Sequence, residues 1–335
     1  MKKLFTILLF PFLFASCYDN SIDSFELYPG LELNDVTWSN SPIDLSKTSA
    51  LVQDLVLETK TLSFYAANGA TWNLNDKTQI ILPANGYTNS SGVALTGSLF
   101  VDAVLLSKKG DYVRNLLPST TASAIVEYGA NSFYLSLRKN DLTEAKLVGG
   151  SFITVSAKDT TAQATQLLSF SETILPLNND NPLRWFVNTN ASNGSLQLKN
   201  SLPISAYGSR KGFEISTNKT GNYITTAKPY NPPSTTSRVD VVMPANFTNK
   251  NTIVFAVFDN KNIVLRLTPD PNNKTYYYNA MPATERVNFV SVSLIDNKIY
   301  YGSNAVTITP NGVYKVNPAN EPITSTKLKA YLDLL

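Results

Sequence analysis

The chain has 335 residues, with 28 Lys and Arg against 25 Asp and Glu for a net charge of +3, one cysteine and no histidine. Without histidine, Ser-His-Asp and Cys-His catalysis, histidine-ligated zinc and the commonest general base near neutral pH are excluded. No basic cluster appears, and phosphate recognition needs concentrated Lys and Arg, so nucleic acid is excluded as a partner. Carboxylate pairs of the glycosidase type and calcium held by Asp, Asn and carbonyl oxygens remain open.

The first residues carry the layout of an export signal. Lys2 and Lys3 precede an apolar stretch from Leu4 to Phe14, and the small residues Ala15 and Ser16 lead into Cys17. Eleven apolar residues are too few to span a bilayer, which needs about twenty, and Pro11 disfavours a continuous helix. A cysteine directly after Phe-Ala-Ser resembles the lipobox of bacterial lipoproteins. The resemblance implies removal of residues 1–16, a thioether-linked lipid on Cys17 and, in most cases, acylation of the new amino terminus. Durable anchoring then follows from having two or three acyl chains instead of one. Cys17 is the only cysteine, so an internal disulfide is not available to it. Removal of Lys2 and Lys3 lowers the balance to 26 − 25, a charge of +1 on about 319 residues. That length suits two domains by the usual prior, each held by its own apolar core.

Residues 17–45 are expected to be the lipidated cysteine and a tether, with breaks at Pro29-Gly30 and Ser41-Pro42 and scattered acids at Asp19, Asp23 and Glu26. From about Leu51 the pattern is strand after strand. Leu99, Val101 and Ala103 alternate with Ser98, Phe100 and Asp102, and Phe133, Leu135 and Leu137 with Tyr134, Ser136 and Arg138. Asn89-Ser90-Ser91-Gly92 and Lys108-Lys109-Gly110-Asp111 supply turns. Residues 176–203, rich in Asn, Ser and Pro, are expected to be a linker or boundary. Beyond it, Thr252–Phe258 and Ile263–Thr268 flank Asp259-Asn260-Lys261-Asn262 as one hairpin, and Val287–Ile295 and Lys298–Tyr301 flank Asp296-Asn297 as another. Only Ser325–Leu335 has helical spacing.

Many short strands separated by turn signals predict an all-β fold of two tandem Ig-like β-sandwich domains, over 46–175 and 204–335, after the signal peptide and tether. Leu82-Pro83-Ala84-Asn85 and Met243-Pro244-Ala245-Asn246 each follow an apolar strand and each precede a Thr-Asn pair. Shared turn chemistry explains this echo as well as duplication does.

The stretch Gln79-Ile80-Ile81-Leu82-Pro83-Ala84-Asn85-Gly86-Tyr87, with Gly92-Val93-Ala94-Leu95-Thr96-Gly97, Lys109-Gly110-Asp111 and Pro118-Ser119-Thr120-Thr121, resembles a module of uncharacterised Bacteroidota envelope lipoproteins. Val254–Asp259 and Lys298–Gly302 are similar to that module's C-terminal part. The family's Trp-Ile-Asn-Cys-Asp segment is replaced here by Gly221-Asn222-Tyr223-Ile224-Thr225-Thr226. The resemblance implies a fold and an envelope location, and no activity.

Several residues are candidates for chemistry. Trp185 and the run Tyr276-Tyr277-Tyr278 are of the type that stacks on sugar rings, although alternating aromatics more often fill a core or pair across strands. Asp270-Pro271-Asn272-Asn273 and Asp259-Asn260 carry calcium-type oxygens, but lack the spacing of a recognised loop and are ordinary turn formers. Asp159-Thr160-Thr161 matches a short O-glycosylation sequence of Bacteroidota envelope proteins. Glu58, Glu127, Glu144, Glu172 and Glu285 are isolated, and no nucleophile-elbow, phosphate-loop or zinc-protease signature is present. No catalytic residue, metal ligand or cofactor is therefore assigned.

The function expected is a membrane-anchored, non-catalytic binding or adhesion module for a glycan or a protein, on an outer-membrane lipoprotein at the cell surface or the periplasmic face. A periplasm-facing assembly factor and a carboxylate-based glycan hydrolase are the alternatives.

Overall fold

The computed structural model describes residues 36–40, 55, 57–121, 124–129, 131–158, 166–171, 186–187, 196–203, 211–218, 220–232 and 235–335. Cys17, Asp159-Thr160-Thr161, Glu172 and Trp185 lie outside them. Among the described residues the fold is all-β, built from antiparallel ladders with one parallel exception, and no helix is long and apolar enough to cross a membrane.

The first half forms two facing sheets. A seven-stranded sheet runs Lys60–Tyr65, Ser98–Leu106, Ser132–Arg138, Asn222–Pro229, Gln166–Ser171 and Phe186–Val187, with Val126–Tyr128 paired to Asn222–Pro229 off that path. A five-stranded sheet runs Leu196–Pro203, Lys211–Thr217, Ile153–Lys158, Thr78–Leu82 and Ala70–Asn73. The period-two alternation places Leu99, Val101, Ala103, Phe133, Leu135 and Leu137 on the inner face, where they meet Ile80, Leu82, Val155 and Ile215 of the opposite sheet. This sandwich-like core is what the alternating pattern requires.

The second half repeats the plan with two four-stranded sheets. One holds Thr268–Asp270, Thr275–Pro282, Thr236–Val242 and the parallel strand Val313–Lys315. The other holds Val264–Arg266, Thr252–Phe258, Arg286–Ile295 and Lys298–Thr307. Val239, Val241 and Tyr276 of the first pack on Val254, Ala256, Phe258 and Phe289 of the second. Both expected hairpins form. In the second, Asp296 and Asn297 both adopt positive φ (49° and 59°), as a two-residue turn matching the strand twist demands. Thr252–Phe258 is buried along its whole length, because its two faces serve different cores.

That second face is the joint of the molecule. Ile253, Phe255, Val257, Val290 and Val292 meet Val104, Leu106, Val126 and Tyr128 of the first sandwich in one continuous core. Two helices fill the seam, Lys109–Arg114 and Ser325–Leu332, the latter capped by Thr324, whose hydroxyl accepts from the Lys327 amide. The expected turn at Lys108–Asp111 is thus the start of a helix, with the Asp111 carboxylate accepting from the Ser107 and Lys108 amides.

Strand pairing divides the chain differently from the expected boundary. Lys211–Thr217 and Asn222–Pro229, expected in the second domain, hydrogen-bond to Ile153–Lys158 and Ser132–Arg138 of the first half. Leu196–Pro203, expected within the linker, pairs with Lys211–Thr217. The Asn- and Ser-rich composition that marks 176–203 as a linker therefore does not mark where the sheets change. Part of the expected tether is also folded: residues 36–40 lie against the second sandwich, with Trp38 packed beside Tyr276.

Candidate functional site

A cleft of about 570 Å³ opens on the second sandwich, where the outer face of strand Thr236–Val242 meets the Pro244–Phe247 turn and residues 36–38. Alternation explains its wall. Val239 and Val241 point into the core, so Arg238, Asp240 and Val242 face outward. Val313 comes beside Asp240 through the parallel pairing and is 67% exposed. Asn273, Lys274 and Thr275 close one end from the neighbouring hairpin, and Val36 and Trp38 close another.

The polar part of the wall is a fixed network. The Arg238 guanidinium donates to both oxygens of Asp240, at 2.9 and 2.7 Å, and to Asp270 at 2.9 Å. It also lies over the Tyr277 ring, 4.1 Å from its centroid. Thr275 donates its hydroxyl to Asp240 at 2.8 Å, and the Asn273 side-chain amide donates to Asp270 at 2.9 Å. Bidentate charge-assisted geometry of this kind holds a guanidinium in one orientation. The hydrogen bond from Arg238 holds the carboxyls of Asp240 and Asp270 below the usual range, against the opposing effect of burial. Both are therefore ionised acceptors at neutral pH, and neither supplies the protonated acid that a two-carboxylate hydrolase requires. One guanidinium against two carboxylates leaves one negative charge, with the Lys274 ammonium at the rim.

The structure redistributes the candidates read from the sequence. Tyr276 is buried in the core and donates its hydroxyl to the Thr252 carbonyl, Tyr277 lies under Arg238, and Tyr278 is half-buried against the core. Tyr276 thus has no ring face open to a sugar, and Arg238 covers one face of Tyr277. Asp270 caps its own turn through the amides of Asn272 and Asn273 while paired to Arg238, so a cation already fills the place calcium would take. Asp259 pairs with Arg286 at 2.8 Å. Among the described residues no three His, Cys, Asp or Glu are placed to hold a metal ion. Glu127 pairs with Lys228, and Glu144 lies 3.9 Å from Lys146. Glu285 accepts from Lys261 at 2.7 Å and from the Tyr230 hydroxyl at 2.6 Å; burial raises its pKa, and these bonds outweigh it and lower it. Glu58 is exposed and takes no part in the cleft.

The accessible aromatic at the site is Trp38, which sequence reasoning placed in a featureless tether; Phe247 also lines the cleft but is buried. A lone tryptophan between polar residues in Asp35-Val36-Thr37-Trp38-Ser39-Asn40 was the available signal, since a solvated leash has no use for an indole. Compared with models of protein families and with curated proteins, the chain gives no match.

Proposed function

We propose that this protein is a lipid-anchored envelope lipoprotein, of the Bacteroidota module type it resembles, in which two Ig-like sandwiches present a non-catalytic glycan-binding site. The observation that carries the proposal is the pairing of the half-buried Trp38 indole with the Arg238–Asp240–Asp270 network in one cleft. A sugar ring has an apolar face and a rim of hydroxyls. The first suits an indole and a valine such as Val313, and the second suits ionised acceptors and amide donors held in fixed orientation.

Profiling the full chain on an oligosaccharide array tests this directly. At least one glycan class is expected to bind without being cleaved, and Asp240→Asn to weaken it at least tenfold with an unchanged circular dichroism spectrum. An array with no binder, or release of shortened products, would reject the assignment. Protease treatment of intact cells separates a surface protein, which is digested, from a periplasm-facing one, which is protected until lysis.

A further inference from the structure

Residues 36–40 follow the stretch expected to lead from the membrane, yet they form part of the cleft. Val36 and Trp38 line it. What holds them there lies outside the lining. The Asn249 side-chain amide takes both main-chain groups of Ser39, accepting from its N–H at 2.9 Å and donating to its carbonyl at 2.7 Å. The Lys250 ammonium donates to the Thr37 hydroxyl at 2.6 Å, and Trp38 lies 5.1 Å from the Tyr276 ring centroid. Asn249 is only 1% exposed with the segment in place. One buried amide thus acts as a strand partner for a peptide unit 210 residues away.

Size decides what such a contact does. Among the described residues, individual hydrogen bonds and one indole hold the five-residue segment, and local contacts of that kind open at lower free energy than a whole core, within reach of a bound ligand. Release would also take the cleft's tryptophan and one apolar wall with it. We propose that the segment is a working wall of the binding site: the cleft holds its glycan only with residues 36–40 docked, so occupancy and docking stabilise each other. By linkage, whatever factor docking adds to ligand affinity, the ligand adds to docking. The proposal rests on the glycan-binding assignment above. It adds that the stretch leading to the membrane senses occupancy.

The test uses the full chain in detergent, labelled with 5-fluorotryptophan, whose three tryptophans give three ¹⁹F lines. Trp38→Phe identifies the line of Trp38. Asn249→Ala is expected to move that line alone, and to weaken the array's best-bound oligosaccharide at least tenfold, since apparent affinity scales with the docked fraction. Asn249→Asp, which keeps the acceptor and loses the donor, is expected to fall between, with its Trp38 line returning toward the wild-type position as the oligosaccharide is added. A shifted line with unchanged affinity would overturn the proposal while leaving the glycan assignment intact. An unshifted line would overturn it as well, because Asn249 would not then be the clamp. Absence of any oligosaccharide bound by the wild type rejects the glycan assignment and this proposal together. Lys250→Ala repeats the measurement should Asn249→Ala lose its fold.

Discussion

Two contacts join parts of this molecule that are distant in sequence, and they are built on different terms. The joint between the sandwiches is deep in a core. Ser119, fully buried, donates its amide to the Val264 carbonyl at 2.6 Å and accepts from the Val264 amide through its hydroxyl at 2.8 Å. The Tyr128 amide donates to the Asn262 carbonyl, and the Lys109 ammonium to the carbonyls of Phe258 and Asp259. Arg114, nearly buried, donates to the Lys329 carbonyl and the Asp333 carboxylate and so pins the C-terminal helix. The docked segment at 36–40 is shallow by comparison, and its polar groups meet water again when it leaves. A hydrogen bond whose loss strands a buried group costs about 1–3 kcal/mol, against roughly 0.5–1.5 kcal/mol where water replaces the partner. The joint is therefore expected to open only when the fold is lost, and the segment at lower free energy.

The sharpest way to break that contrast is at Gly110. A methyl group placed there would sit 1.9 Å from the carbonyl oxygen of Leu332, a backbone atom that cannot rotate aside. Alanine in place of glycine favours a helix by roughly 1 kcal/mol. The clash outweighs this, because relief requires the C-terminal helix to shift and draw its own fully buried Leu328 and Leu332 out of the core. Gly110→Ala is expected to lower stability by about 2–4 kcal/mol in chemical denaturation, with the C-terminal helix losing amide-exchange protection. Wild-type stability in this variant would show that the two helices are not in fixed contact. Ser119→Ala comes next. It leaves the Val264 amide without its acceptor, and about 1–3 kcal/mol of destabilisation is expected. A change below about 0.5 kcal/mol would class the joint with the shallow contact.

The joint also shows what the sequence discloses and what it hides. Lys109-Gly110-Asp111 and Pro118-Ser119-Thr120-Thr121 stand out in the sequence as turn chemistry, and Lys109, Gly110 and Ser119 among them have their reason in the seam. None of those reasons is local: the partner of Gly110 is 222 positions away, and that of Ser119 is 145 positions away. Period-two alternation reports which face of a strand is buried, so the strands and hairpins were legible. Thr252–Phe258 carries no alternation, because both of its faces are covered. The Pro-Ala-Asn echo follows a core strand in both halves, with Leu82 and Tyr87 in one core and Met243 and Phe247 in the other. The orphaned groups differ. Tyr87 buries a hydroxyl without a partner where the second sandwich has phenylalanine, while Asn246 buries both amide atoms without one and Asn85 is exposed with φ 57°. The cleft was the least legible feature, since its network joins Arg238, Asp240 and Asp270 across two hairpins and its indole comes from the expected tether.

The smallest expected effect belongs to that network, and it supplies a titratable contrast to both contacts. Among the described residues, the segment is held by an amide, main-chain groups and a lysine–threonine bond, none of them a carboxylate. The network depends on Asp240 and Asp270, whose pKa values are lowered in the fold chiefly by the hydrogen bond from Arg238. For a carboxyl with a depressed folded pKa, the stabilisation is complete above its unfolded value of about 3.9 and is lost as pH falls through the folded value. Arg238→Gln removes the cause of the depression. Discounted for the partial exposure of the guanidinium, the wild type should exceed the variant by about 1 kcal/mol at pH 7. That advantage should shrink steadily below about pH 4. Over the range from pH 7 to pH 5 the ¹⁹F line of Trp38 should stay where it is in both proteins. A stability gap that persists undiminished at pH 2 would mean that Arg238 acts by packing over Tyr277, and not through its two carboxylates. A Trp38 line that moves with the gap would mean that the segment and the network are one contact.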